Sequence, residues 1–419
     1  MTTEFPVFSA ALNGKNGWLF CTVIDNFGDI GVSWRLAQML HNELGCNITL
    51  WLDDEAALRR LCPNLPPLPC TYQNTELRLW QEGVSADLNG APPPDLVIET
   101  FACTLPETVH EIIRRKQPLW LNWEYLSAED WAEAMHGKPS LQADGRQKFF
   151  WLMGFTERSG GLLREHDYTV RIENTAALRR TLGLPEKTPS ENERSGFLRS
   201  KNEQNEFLRS KNEQNAGLQE WLLFGYASPI WADWLAMWQT DGRPLCLLLA
   251  GGKIIESLKT SGCIPQEALQ NDGDTFQSGC AELVRLPFVA QHDFDRLLAF
   301  SDGLIVRGED SFVRAQLSGK PFLWHIYPQD EAAHLDKLDA FWCKTENTFP
   351  PELFAAHQAL SAELNGGATL SAAERLAAWQ TLQNRFSAWQ NAAQTWQKQL
   401  FAQASAVEKL AKFADGLLK

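Results

Sequence analysis

Short apolar runs alternate with amphipathic, helix-length segments, and this alternation occurs twice, on either side of a break near residue 185. In the first half, Trp18 to Ile24, Ile48 to Leu52, Asp95 to Ile98, Leu119 to Asn122 and Phe149 to Leu152 read as strands. Val32 to Leu44 reads as a helix, with apolar residues at 32, 36, 39, 40 and 44. Strands separated by helix-length connections predict a parallel sheet covered on both faces. In the second half, Trp221 to Phe224, Leu245 to Leu249, Glu282 to Leu286, Gly303 to Val306 and Phe322 to His325 read as strands, with helices at about 291–300 and 311–318. Gly319 stands where a helix C-terminal glycine belongs, and Pro321 prevents continuation. Beyond about residue 370 the chain reads as one long helical pattern, with Trp379, Phe386, Trp389, Trp396 and Leu400 on an apolar stripe.

The expected architecture is therefore α/β: two Rossmann-like domains facing across a cleft, with a long C-terminal helical segment. The boundaries predicted are 1–185, a linker at 186–218, 219–370, and helices at 371–419 that cross back to the first domain. Within the linker, Phe197 to Asn205 recurs identically as Phe207 to Asn215. A polar unit repeated only twice builds no solenoid, so it reads as a short duplicated insertion.

The 419 residues suit two domains. The 38 basic and 52 acidic residues leave a net charge of −14, which argues against a nucleic-acid binder. The apolar run Leu245 to Ala250 is six residues long, whereas a membrane span needs about 20. No basic region precedes an apolar stretch at the N-terminus, and the nine scattered cysteines form no Cys-x-x-Cys pair, so a reducing cytoplasm is the expected setting. The 17 tryptophans read as packing residues.

In open sheets of this kind, ligands bind beyond the carboxyl ends of the strands. Two loops there carry chemistry. The first is Asp25-Asn26-Phe27-Gly28-Asp29-Ile30-Gly31. It lacks the Gly-x-Gly-x-x-Gly fingerprint, and two carboxylates occupy the place of a phosphate. They suit a helix N-terminus and a cationic group. Asn26, Phe27 and Gly28, with Glu99 and Glu124 at other strand ends, are acceptor-side candidates. The second is Arg307-Gly308-Glu309-Asp310-Ser311, where arginine, hydroxyl and helix amides can hold phosphate and Glu309 can accept ribose hydroxyls. Phe288 and Gln291 can stack on a base and bond its edge. Gly251-Gly252-Lys253 lacks the rest of a phosphate loop and reads as a turn. The histidines show no metal-ligand spacing.

The order of these features looks like the donor half of a two-domain glycosyltransferase of the B type. Residues 21–37 and 307–316 resemble the EarP family, arginine rhamnosyltransferases of bacterial elongation factor P. The resemblance runs along nearly the whole chain apart from the duplication. It implies an inverting, metal-independent enzyme without a cofactor, which moves L-rhamnose from TDP-β-L-rhamnose to one arginine of elongation factor P. That modification relieves ribosomes stalled at polyproline. Carried over, Asp25 and Asp29 match the catalytic loop, and Phe288 and Gln291 match thymine contacts. Tyr226, Arg307, Glu309, Asp310 and Ser311 match sugar-nucleotide contacts. Asp29 is then the expected base and Asp25 the orienting carboxylate. A small-molecule enzyme of the same fold, such as a sugar-nucleotide epimerase, and a non-catalytic module that binds elongation factor P are the rival readings.

Overall fold

The computed structural model describes residues 11–24, 28–185 and 218–417. The duplicated segment and the 186–218 linker, save Leu218, lie outside the described residues. Among the described residues fifteen strands form two sheets: β1 Asn16–Cys21, β2 Asn47–Leu52, β3 Cys70–Tyr72, β4 Thr75–Gln81, β5 Ser85–Ala86, β6 Leu96–Thr100, β7 Leu119–Glu124, β8 Pro139–Leu141, β9 Gln147–Leu152, β10 Gln219–Leu223, β11 Leu245–Leu249, β12 Thr275–Ser278, β13 Ala281–Arg285, β14 Gly303–Arg307 and β15 Phe322–His325.

The first sheet runs β3-β4-β2-β1-β6-β7-β9-β8, with β5 against β4. Its six central strands are parallel and its edge strands antiparallel. The second runs β12-β13-β11-β10-β14-β15, parallel except for β12. Every residue of β11 is buried, as a parallel strand with helices on both faces requires. In each sheet the strand order reverses beside the first strand, between β1 and β6 and between β10 and β14. Those switch points open the crevices in which α/β sheets hold ligands.

The first strand is shorter than its apolar run, which continues to Ile24. The amides of Val23 and Ile24 are taken by the carboxylates of Asp53 and Asp29, at 3.0 and 2.8 Å, instead of a neighbouring strand. The first helix, α1, spans Gly28–Leu44, one turn earlier than its apolar periodicity. Strands β3 to β5 escape the alternation because β4 carries Glu76 and Arg78, whose charges meet at 2.9 Å.

The C-terminal segment is not one helix but three, Ala372–Asn384, Phe386–Phe401 and Ala406–Leu417. Arg385, at φ −119° and ψ 31°, makes the first break. The aromatic stripe is thereby distributed. Trp379 and Trp389 pack on Trp221 of the second sheet at 5.0 and 5.6 Å, Trp396 meets Phe155 and Phe341 at 6.2 Å, and Phe413 reaches Trp151 of the first sheet at 5.6 Å. Ala406 N donates to Leu162 O at 2.8 Å, so the last helix lies on the first half. Gly319 ends its helix at φ +65°, a conformation open to glycine. All nine cysteines are free thiols. No helix among the described residues is long and apolar enough to cross a membrane.

Candidate active site

Asp29 is the second residue of α1, just past the carboxyl end of β1. Its charge suits the helix N-terminus. Its carboxylate is 2% exposed and accepts two hydrogen bonds, from Ile24 N at 2.8 Å and from the Tyr125 hydroxyl at 3.2 Å. The first of these closes the turn back on the strand, which is a different task from capping a helix amide. Tyr125 follows β7, and its ring stacks on Phe101, just after β6, at 4.2 Å and 15°. Burial, with the Asp29 carboxylate beside it, pushes the Tyr125 phenol well above its ordinary range, so the phenol keeps its proton and donates. Three strand ends thus converge on one carboxylate. Asp25, Asn26 and Phe27 lie outside the described residues.

The facing wall is built from the second half. A cavity of about 360 Å³ is bounded by Gly28 and Gly31 on one side and by Tyr226, Phe288, Arg307 and Ser311 on the other. Arg307 ends β14, and its guanidinium lies 4.5 Å from the Phe224 ring and 4.9 Å from that of Tyr226. Such stacking holds a cation through its planar face, and the edge of the same group carries the N–H donors that suit an anion. The helix Asp310–Ser318 starts beside it without a side-chain cap. Its leading amides therefore supply partial positive charge. The Ser311 hydroxyl donates to the Arg307 carbonyl, which ties the helix start to the strand end. The Phe288 ring is 57% exposed, an unusual state for an aromatic beside a cavity and a suitable platform for a base.

Gln291, Glu309 and Asp310 behave differently. Gln291 Nε2 donates to Gly31 O at 2.9 Å, Glu309 Oε2 accepts from Leu126 N at 2.8 Å, and Asp310 Oδ1 accepts from Arg35 at 2.8 Å. Each bond spans the two halves. A Cβ on residue 31 would come within 3.3 Å of the Gln291 amide, so glycine permits that approach. Burial raises Glu309 to about 7, opposed by Lys337 at 3.7 Å and the Leu126 amide. Both Asp310 oxygens are engaged, the second by Arg314 at 2.7 Å, so its side chain serves an ion pair and its backbone amide is what it offers the cavity.

Of the other acceptor-side candidates, Gly28 lines the cavity. Glu99 is internal rather than cleft-facing. It is 2% exposed, with one oxygen on Trp120 Nε1 at 2.7 Å and the other on Lys148 at 2.8 Å. Glu124 accepts from Asn122 Nδ2 at 2.6 Å. Three participants are invisible to motif reading. Tyr125 sits next to the Glu124 that the strand-end rule selects. Arg35 interrupts an apolar helix face. Lys253, read as part of a turn, stands with Gly251 and Gly252 on the cavity wall.

Comparison with known proteins identifies the family and the fold. Residues 18–415 match the family model described as elongation factor P rhamnosyltransferase EarP. A protein-arginine rhamnosyltransferase of Neisseria meningitidis is 56% identical over 399 residues, 95% of this chain and 96% of that one. One from Pseudomonas aeruginosa is 37% identical, covering 95% of this chain and 99% of its own. A solved structure, described as the structural basis for EarP-mediated arginine glycosylation of translation elongation factor EF-P, superposes with a TM-score of 0.60 at 26% identity, covering 95% of this chain and 98% of that one. With two Rossmann-like sheets and a shared cleft between them, the chain is a glycosyltransferase of the B fold and belongs to the EarP family of arginine rhamnosyltransferases.

Proposed function

We propose that this enzyme transfers L-rhamnose, with inversion and without a metal ion, from TDP-β-L-rhamnose to an arginine of elongation factor P in the cytoplasm, activating that factor for rescue of ribosomes stalled at polyproline. The observation that carries this reading is the polarity of the cavity: a buried carboxylate beside one wall, and a stacked arginine with a helix N-terminus on the other.

Arginine is a weak nucleophile because its guanidinium is charged and delocalised. Asp29 accepts hydrogen bonds from Ile24 N and the Tyr125 hydroxyl. A carboxylate has about four lone-pair sites and binds a guanidinium through paired N–H groups. Asp25, at the other end of the same loop, is the orienting carboxylate. As the terminal guanidinium nitrogen bonds the anomeric carbon, the bond from that carbon to the phosphate oxygen breaks on the opposite face. The nitrogen becomes acidic as this bond forms, and its proton passes to Asp29. The pyrophosphate charge of departing TDP is met by Arg307, the Tyr226 hydroxyl, the helix amides and Ser311, whose hydroxyl exchanges the Arg307 carbonyl for a phosphate oxygen. Phe288 and Gln291 hold the thymine, and Glu309 the ribose; for Gln291 and Glu309 this means exchanging Gly31 and Leu126 for the nucleotide.

Intact mass of elongation factor P after incubation with this enzyme and TDP-β-L-rhamnose in excess EDTA tests the reading. The expected result is one added deoxyhexose on an arginine. An unchanged mass, or one that changes only when Mg²⁺ or Mn²⁺ is restored, contradicts the transfer or its metal independence respectively.

A further inference from the structure

Arg35 lies on α1 six residues after Asp29 and is 3% exposed. Its Nε and Nη2 donate to the two oxygens of Glu165 at 2.8 and 2.6 Å. Its Nη1 reaches across the cleft to Asp310 at 2.8 Å. Arg314 bonds the other Asp310 oxygen at 2.7 Å and then Asp295 at 2.8 Å. Glu165, Arg35, Asp310, Arg314 and Asp295 thus form an alternating line of charge from the first half into the second. No side chain in it is more than 18% exposed.

Stability alone is a poor account of this line, since buried ion pairs are often no more stabilising than apolar residues of the same volume. Its geometry is more informative. It joins two helices that the reaction uses, α1, which carries Asp29 in its first turn, and Asp310–Ser318, whose start faces the phosphate. Arg35 does not line the donor cavity. A guanidinium is a rigid planar fork, able to fix the distance and the angle between two carboxylates at once, and an ammonium is not. In-line displacement needs base and leaving group at a set separation, and a misplacement of about 1 Å can cost about 10²-fold in rate.

We propose that Arg35 is a positioning residue for glycosyl transfer, holding the base on α1 in register with the phosphate-binding helix through its pair with Asp310. The inference rests on the transfer reading given above. It concerns rate and leaves nucleotide affinity to the second half.

The test uses the full chain, with Arg35→Lys and Asp295→Asn compared by turnover at saturating substrates, TDP titration calorimetry and melting temperature. Arg35→Lys is expected to lower kcat by about 30–100-fold, with TDP affinity within about threefold of wild type. Asp295→Asn, which disturbs the same line only inside the second half, is expected to lower the melting temperature at least as much yet keep kcat within about threefold. If Arg35→Lys does not fold, Glu165→Gln, which removes the carboxylate that orients the Arg35 fork and does not line the donor cavity, is read by the same criteria. A kcat near wild type, a TDP affinity that falls in step with kcat, or an equal loss in Asp295→Asn each overturns the proposal. A wild-type enzyme that leaves the mass of elongation factor P unchanged overturns the transfer reading itself, and this inference with it.

Discussion

The two walls of the cleft hold their reactive groups by opposite means. Beside the first wall a carboxylate is fixed by hydrogen bonds, one from five residues away and one from Tyr125, 96 residues away. On the second wall a cation is held by stacking on Phe224 and Tyr226, two rings just past β10, and the five-residue run that this Arg307 opens also supplies the helix start. The difference fits the role proposed for each group. A proton acceptor needs partners that reorganise as its charge changes, and hydrogen bonds do so. A group that offsets phosphate charge keeps its own charge throughout, and ring faces hold it without competing for its N–H donors.

The comparison breaks most visibly at the base. Asp29→Asn preserves shape and one acceptor oxygen but removes the proton acceptor. General base catalysis contributes about 10²–10⁴-fold, so single-turnover transfer should fall by that amount. A near-normal rate in this variant would remove Asp29 from the mechanism.

A smaller effect is expected on the other wall. Phe288→Ala removes the exposed ring, and base stacking on an aromatic is worth about 1–3 kcal/mol, so TDP should bind about tenfold or more weakly. Titration calorimetry reads this directly, and unchanged affinity would place the base elsewhere.

The smallest effect sharpens the account of how the base is held. Tyr125→Phe deletes one hydrogen bond to Asp29 and leaves the ring stacked on Phe101. A net hydrogen bond is worth about 1 kcal/mol, so transfer should slow by about fivefold with TDP affinity unchanged. A loss as large as that of Asp29→Asn would make Tyr125 part of the proton transfer, and no loss would make its bond incidental.

The parallel strands were legible because burial on both faces writes itself as unbroken apolar runs, as in Leu245–Leu249. The end of β1 was not, since Ile24 continues the run while side chains of Asp53 and Asp29 take the amides. The C-terminal stripe was legible as helix, but not as three helices serving two cores, because its periodicity carries no sign of the turn at Arg385. In the site, the local cluster from Arg307 to Ser311 could be read as a motif. Tyr125 and Arg35 could not, because each acts through a partner distant in sequence that only the fold brings near. Asp310 shows the converse: the motif marks it, yet its carboxylate belongs to the charge line with Arg35 and Arg314.

The division of labour between the walls is tested most directly by titrating TDP into Asp29→Asn and measuring single-turnover transfer on the same preparation. A TDP affinity within about twofold of wild type is expected, with transfer lost by about 10²-fold or more. An affinity that collapses with the rate would contradict it, because Asp29 would then belong to the donor site and not to the wall that receives arginine.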